Sequence, residues 1–373
     1  MKSPFPLIRA LCGLGLILLV LGACTSDRVL TKGPQSWAYS SWWLPLTEQG
    51  VRDSGFDRLV FFEIEIGSDG RIANANGWPE RQGRIRRISS ALELPLDLTL
   101  TIKDHPKFEA VFSDPDASER LFKECVSLLD DPEVQGIHLD FEFYDGEASP
   151  AAAASLQRFL ERLSAVLKDA DTPRKLSIFV PMGGPALYDR AGLALADWVV
   201  IQAYDAHWLT SPNAGPVAPI SGPEAVTWEN VLREAMALGV PRDRILLSYP
   251  LYGYEWPVSS QDPRSPTTGP GVMTTLEPMD NQTPGTPNVA ERLTRYNCTH
   301  EALSGSSNYI FPTPNGWAVG WFEGMNALGK KIEFLNRNKL GGIAFFVAGY
   351  DKYHLTSAYH QSRSGAKIPA SKC

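Results

Sequence analysis

The chain is poor in the residues that build metal centres and disulfide frameworks. It has five cysteines and six histidines in 373 residues. Cys12 and Cys24 lie near the start, so Cys125, Cys298 and Cys373 remain for the folded part. Three cysteines permit one disulfide at most, and their order does not say which two would pair. Their spacing matches no zinc pattern and no His-x-x-x-His pair occurs, so neither a metal nor a cofactor is expected. A surplus of positive charge is missing too. Lys and Arg number 35 against 42 Asp and Glu, a formal charge of −7. Such a chain repels polyanions, which argues against nucleic acid as a partner. The apolar run from Leu11 to Val20 falls short of the ~18 residues needed to span a bilayer, and no later run is longer.

That run has a meaning of its own. Lys2 and Arg9 precede it, and it ends in Leu21-Gly22-Ala23-Cys24. The pattern resembles the signal peptide and lipobox of a bacterial lipoprotein. The resemblance implies cleavage after residue 23, a lipid on Cys24 as the sole membrane contact, and a polar tether over 24–35. Loss of Lys2 and Arg9 takes the formal charge from −7 to −9. Thr25, rather than Asp, follows the cysteine. By resemblance to Gram-negative lipoproteins, the expected location is the cell envelope, lipid-anchored at the outer membrane or periplasmic face. The chain is expected to be a monomer.

The remainder alternates β-rich runs with helical stretches. The runs are Trp37–Leu44, Leu59–Ile66, Leu96–Ile102, Gly136–Phe143, Leu176–Pro181, Trp198–Tyr204, Ile245–Leu251 and Gly342–Val347. Helical periodicity marks Ala117–Leu129, Ala151–Lys168, Glu224–Leu238 and Gly324–Asn338. Pro223 and Gly239 frame the third of these as start and stop signals. Eight strands alternating with helices predict an α/β fold, a (β/α)8 TIM barrel over 36–360, with a tail at 361–373. A doubly wound sheet would carry a glycine-rich turn after its first strand, and none is present. Residues 257–316 are rich in Pro, Gly, Thr and Asn. They read as an insertion between strand seven and the last helix.

The fourth run holds the chemistry. Residues 134–143 read Val-Gln-Gly-Ile-His-Leu-Asp-Phe-Glu-Phe. Side chains on a strand alternate faces, so His138, Asp140 and Glu142 share one face and Ile137, Leu139, Phe141 and Phe143 the other. Two acids and an imidazole in an apolar strand are costly unless used or paired. Neighbouring carboxylates raise each other's pKa, which keeps one protonated as a general acid. A buried structural acid pair is the bland alternative, and a satisfied core histidine is the bland reading of His138.

Residues 136–142 resemble the D-G-x-D-x-D-x-E signature of glycoside hydrolase family 18, the chitinase-like enzymes. Gln202-Ala203-Tyr204-Asp205 resembles the family's strand-six motif, Tyr249–Trp256 its strand-seven run and Gly341–Phe346 its final strand. Phe61–Ile66 followed by Ser68-Asp69-Gly70 resembles its second strand. The resemblance implies a substrate-assisted, retaining glycosidase. In it Glu142 is the general acid, Asp140 orients the substrate's N-acetyl group, Tyr204 holds that group and Asp205 is its polar neighbour. A substrate nucleophile makes a second catalytic carboxylate unnecessary. Departures from the pattern are Gln135, His138 in place of an aspartate, Gln202 in place of methionine, and Phe346 in place of the tryptophan that floors the sugar site. His138 could donate to Asp140 or carry charge beside it.

Trp43, Glu63, Gln202, Trp208, Tyr252, Trp256, His138 and Phe346 are the candidate substrate-binding residues, since sugars stack on aromatics and bond to polar groups. Two functional classes fit. One is a glycosidase acting next to an N-acetylhexosamine in peptidoglycan, a chitooligosaccharide or an N-glycan. The other is a non-catalytic carbohydrate-binding lipoprotein on the same scaffold. Retention of Glu142 favours the first.

Overall fold

The computed structural model describes residues 34–169, 172–182, 187–279, 286–369, 371 and 373. The expected signal peptide (1–23), the expected lipid site Cys24 and the expected tether up to residue 33 lie outside the described residues.

Among the described residues, eight strands form a closed parallel sheet. They are β1 (Gln35–Ser41), β2 (Arg58–Ile66), β3 (Leu96–Ile102), β4 (Val134–Phe141), β5 (Lys175–Val180), β6 (Trp198–Ile201), β7 (Ile245–Pro250) and β8 (Gly342–Phe346). Each pairs with the next, and β1 closes the ring by pairing with both β8 and β2. This is the (β/α)8 barrel that the alternation predicts. Both faces of every strand are covered, which is why the runs read as nearly continuous apolar stretches. Trp37, Tyr39, Val60, Phe62, Phe179, Val200, Leu246 and Ala344 pack inside the ring. Phe61, Ile137, Leu139 and Phe141 pack in the layer between sheet and helices.

Capping side chains set several helix starts. Thr47, Asp104, Asp189 and Thr227 each accept a hydrogen bond from the backbone N–H three residues on. The Thr227 cap corrects one boundary. The third predicted helix runs Trp228–Ala237 rather than starting at Glu224. Glu224 is instead buried and paired with the half-buried Arg264. Helices at Glu48–Ser54, Gly83–Leu92, His105–Ser113, Arg190–Leu195 and His354–Arg363 are not evident from periodicity. Most are short, with too few turns to show a repeat.

The expected insertion at 257–316 is larger and more regular than its composition suggests. Tyr252–Val258, Val272–Thr275, Cys298–His300, Ser307–Thr313 and Gly316–Phe322 form an antiparallel sheet. Pro, Gly, Thr and Asn crowd its turns and hide the strands between them. Inside it, Arg292 holds both oxygens of Glu255 at 2.6 and 2.9 Å, and Tyr309 donates to the same carboxylate at 2.7 Å. The sheet precedes the helix Met325–Asn338, but a further helix, His354–Arg363, follows β8. That last helix takes up the first residues of the expected 361–373 tail. Cys373 pairs with Cys298 and ties the tail to the inserted sheet, while Cys125 is a buried free thiol.

Candidate active site

In this barrel class the functional groups gather where the strands end. β4 ends at Phe141, and the Glu142 N–H extends the ladder by donating to the Ile102 carbonyl at 2.8 Å. Asp140 pairs in register with Thr101, so Lys103, just past the end of β3, stands beside Glu142. Asp140, Glu142, Lys103, Tyr144, Gln202, Tyr204, Asp205 and Tyr252 line a cavity of about 290 Å³ together with Tyr39, Phe62, Phe179 and Phe346. Larger hollows of about 1040 and 800 Å³ lie on other faces, without a comparable cluster of carboxylates.

The two acids are held in different ways. Asp140 is buried, and its Oδ1 has no hydrogen-bond partner. Burial, then the Glu142 charge, pushes its carboxyl well above the usual range, against the pull of Lys103. Burial also raises Glu142, while Lys103 and a hydrogen bond from Tyr144 draw it down. The pair therefore keeps a proton at pH values where ordinary carboxyls have lost theirs. Lys103 is in turn paired with buried Glu63 and lies over the Phe62 ring.

Tyr204 and Asp205 come from the loop that follows β6. Ser248 on β7 pins this loop by donating to the Ile201 carbonyl and accepting the Ala203 N–H, both at 2.9 Å. Asp205 takes the left-handed backbone conformation, φ 61°, which aspartate tolerates better than most residues. Tyr252 and Tyr254 lie on one face of the first inserted strand, and their hydroxyls donate to Asp205 at 2.8 and 3.1 Å. The inserted sheet thus reaches into the site. Burial pushes the Asp205 carboxyl up to about 6, although the two phenols favour its ionised form. The Tyr204 hydroxyl has no hydrogen-bond partner among the described residues, and its ring stacks on Phe346 at 5.9 Å and 15°. Gln202 accepts the Met182 N–H at 2.9 Å.

His138 is placed differently from the expectation. It shares the inward face with Asp140 but lies deeper and fully buried, outside the cavity wall. Its Nε2 meets the Tyr39 hydroxyl and its Nδ1 the Ser177 hydroxyl, each at 2.8 Å. No hydrogen bond joins it to Asp140. Burial, reinforced by the Arg58 charge, pulls its pKa down to about 3, so it carries no charge near neutrality. Both electrostatic options for His138 are therefore corrected to a neutral support for Tyr39. A stability effect follows. Between pH 6.5 and about 3 the unfolded chain binds a proton at this site that the folded chain refuses, so stability falls as the pH drops through that window. His138→Gln removes this term. Its loss of unfolding free energy between pH 7 and pH 5 should be smaller than the parent's by roughly 2 kcal/mol, measured by urea titration. Parallel curves for the two proteins would contradict the buried neutral imidazole.

The other candidates divide. Gln202, Tyr252 and Phe346 line the cavity, whereas Trp43, Glu63, Trp208 and Trp256 do not. Trp256 is wholly buried and donates to the Trp208 carbonyl at 3.0 Å, so it offers no open face. Trp43 is partly buried and donates to the Tyr350 hydroxyl at 2.9 Å. Trp208 is 48% exposed. Lys103, Tyr39, Phe62, Tyr144 and Phe179, which also line the cavity, were missed by sequence reasoning. The positions of Lys103 and Tyr144 just past two strand ends were the available signal.

Comparisons with known proteins agree with the geometry. Residues 98–351 match the pattern of the family described as glycosyl hydrolases family 18. YdhD of Bacillus subtilis (strain 168), which carries the name of a sporulation-specific glycosylase, is 27% identical over 294 residues, 76% of this chain. The chain spans 64% of that relative's own length. A family 18 chitinase of Cycas revoluta, solved in complex with (GlcNAc)3, superposes with TM-score 0.71 at 15% identity, covering 89% of this chain and 100% of its own. The Bacillus cereus spore cortex-lytic enzyme SleL does so with TM-score 0.67 at 19% identity, covering 87% and 74%.

Proposed function

The chain belongs to the glycosyl hydrolases of family 18, and we propose that it cleaves a β-glycosidic bond next to an N-acetylhexosamine with retention of configuration. The observation that carries this reading is the buried Asp140 oxygen with no protein partner, beside a protonatable Glu142 in the barrel mouth. A buried carboxylate oxygen without a partner is costly in the free protein. A substrate acetamido N–H supplies the missing donor. Glu142 gives its proton to the glycosidic oxygen as the acetamido oxygen attacks the anomeric carbon and the glycosidic bond breaks. Asp140 stabilises the positive oxazolinium ring that forms, and Tyr204 donates to the acetamido oxygen. Water then opens the ring, Glu142 takes up its proton, and the β-configuration is restored.

The cavity is close to the small end of the range for ligand sites. It suits one sugar ring, with further rings on the open surface around it. The Tyr204–Phe346 pair offers apolar area for that ring, less than an indole would. With a lipid on Cys24 the enzyme would act at the cell envelope, on peptidoglycan strands or N-acetylglucosamine oligomers. A purely sugar-binding role has less support, because it gives no use to a buried, protonatable Glu142.

Incubation with peptidoglycan and with N-acetylglucosamine oligomers, followed by NMR of the freshly released anomer, tests the reaction. The β-anomer is expected first, and a thiazoline mimic of the bicyclic intermediate should inhibit at concentrations far below those at which substrate binds. An initial α-anomer, or no thiazoline inhibition, would rule out attack by the substrate's own acetamido group.

A further inference from the structure

Tyr144 does not belong to the acid and acetamido-binding set described above, yet it sits directly on Glu142. The residue is 57% exposed, but its hydroxyl lies 3.2 Å from Glu142 Oε2 and 3.3 Å from Gln202 Oε1. Gln202 Oε1 is fixed as an acceptor by the Met182 N–H at 2.9 Å. A phenol has one proton and cannot donate to both neighbours at once. When Glu142 is protonated it donates to the phenol oxygen and the phenol donates to Gln202. When Glu142 ionises, the phenol turns its proton to the carboxylate in a stronger, charge-assisted bond, and Gln202 keeps the Met182 N–H.

We propose that Tyr144 is a positioning residue that caps the general acid in the free enzyme and is displaced by the oxygen of the scissile bond. This rests on the reading of Glu142 as the proton donor. To receive the Glu142 proton, the glycosidic oxygen must come as close to that carboxyl as the phenol oxygen stands now, and the two cannot share the place. The ring is on the surface, so its departure breaks little packing. The cap keeps the acid's proton oriented while the site is empty, and gives way only to a ligand that offers an oxygen there. The other titratable groups facing Glu142 are Asp140 on its own strand, Lys103 after β3, Glu63 on β2, Tyr39 on β1, and Tyr204 and Asp205 after β6. They remain in both states.

Tyr144→Phe separates cap from bystander through the pH dependence of turnover on the N-acetylglucosamine tetramer and on peptidoglycan. The alkaline limb of kcat/KM reports the free enzyme and that of kcat the substrate complex. The phenol favours ionised Glu142 in the free enzyme, so its loss makes the last proton harder to remove. The alkaline limb of kcat/KM should move up by about half a pH unit, and that of kcat should stay in place. Movement of both limbs would mean that Tyr144 stays on Glu142 with substrate bound, and movement of neither that it never capped the acid. Either result overturns the proposal. Glu142→Gln measured alongside keeps the premise separate. Full turnover in that variant, or none by the parent on either substrate, removes the reading of the site and the cap with it.

Discussion

Glu142→Gln lowers kcat on any glycan the parent hydrolyses by about 10³-fold, with a much smaller change in KM. Glutamine keeps the size and hydrogen-bonding reach of the side chain, so the ring of contacts from Lys103 to Tyr144 survives. It has no proton to give at any accessible pH. The departing sugar must then leave as an alkoxide, and the barrier rises accordingly. Binding is retained because Asp140, Tyr204, Gln202 and the aromatic wall are untouched. Steady-state kinetics and calorimetric titration with the N-acetylglucosamine tetramer measure both halves. A variant within tenfold of the parent kcat would show that the proton comes from another group, and Asp205, raised to about 6, would be the next to test.

Asp140→Asn has the second large effect, a fall in kcat of about 10²- to 10³-fold, comparable to removing a preorganised electrostatic partner elsewhere. The amide can still accept from an acetamido N–H, but it cannot offset the positive charge of the oxazolinium ring. Affinity for a thiazoline mimic should therefore fall more than affinity for the tetramer. The pH profile adds a signed test. The Glu142 charge raises Asp140, and the same repulsion means that an ionised Asp140 opposes loss of the Glu142 proton. Removing the Asp140 charge makes the last proton easier to lose, so the alkaline limb moves to lower pH. That is opposite to the shift expected for Tyr144→Phe. An unchanged limb together with an unchanged thiazoline affinity would reduce Asp140 to a structural acid.

Much of the barrel was legible because its strands are buried on both faces. Apolar runs of six to eight residues at regular spacing leave few other folds, and the structure closes them into one ring. The inserted sheet was not legible. Two of its strands have only four and three residues, and Pro- and Gly-rich turns separate the strands, so its composition resembles that of a loop. The short helices at 48–54 and 190–195 escaped notice for the same reason: one or two turns carry no period.

The site divides along a similar line. Strand periodicity by itself put His138, Asp140 and Glu142 on one face, because covalent geometry makes every second side chain point the same way. Periodicity has no information about depth. Two residues along a strand is about 6.6 Å, which separates a carboxyl at the cavity from an imidazole buried among Tyr39 and Ser177. The aromatic candidates show the same limit. Trp256 and Tyr252 share one face of one strand, yet Tyr252 lines the cavity and Trp256 is sealed in the core. What only the tertiary structure decided is which groups from distant segments meet. Lys103 stands beside Glu142 because β3 and β4 are paired in register, and Tyr252 and Tyr254 reach Asp205 across 47 and 49 residues because the inserted sheet folds back over the mouth. The sequence alone determined the residue types and the side of the strand on which the acids stand. Their protonation depends on burial and on charges brought in by the fold, and no local pattern contains either.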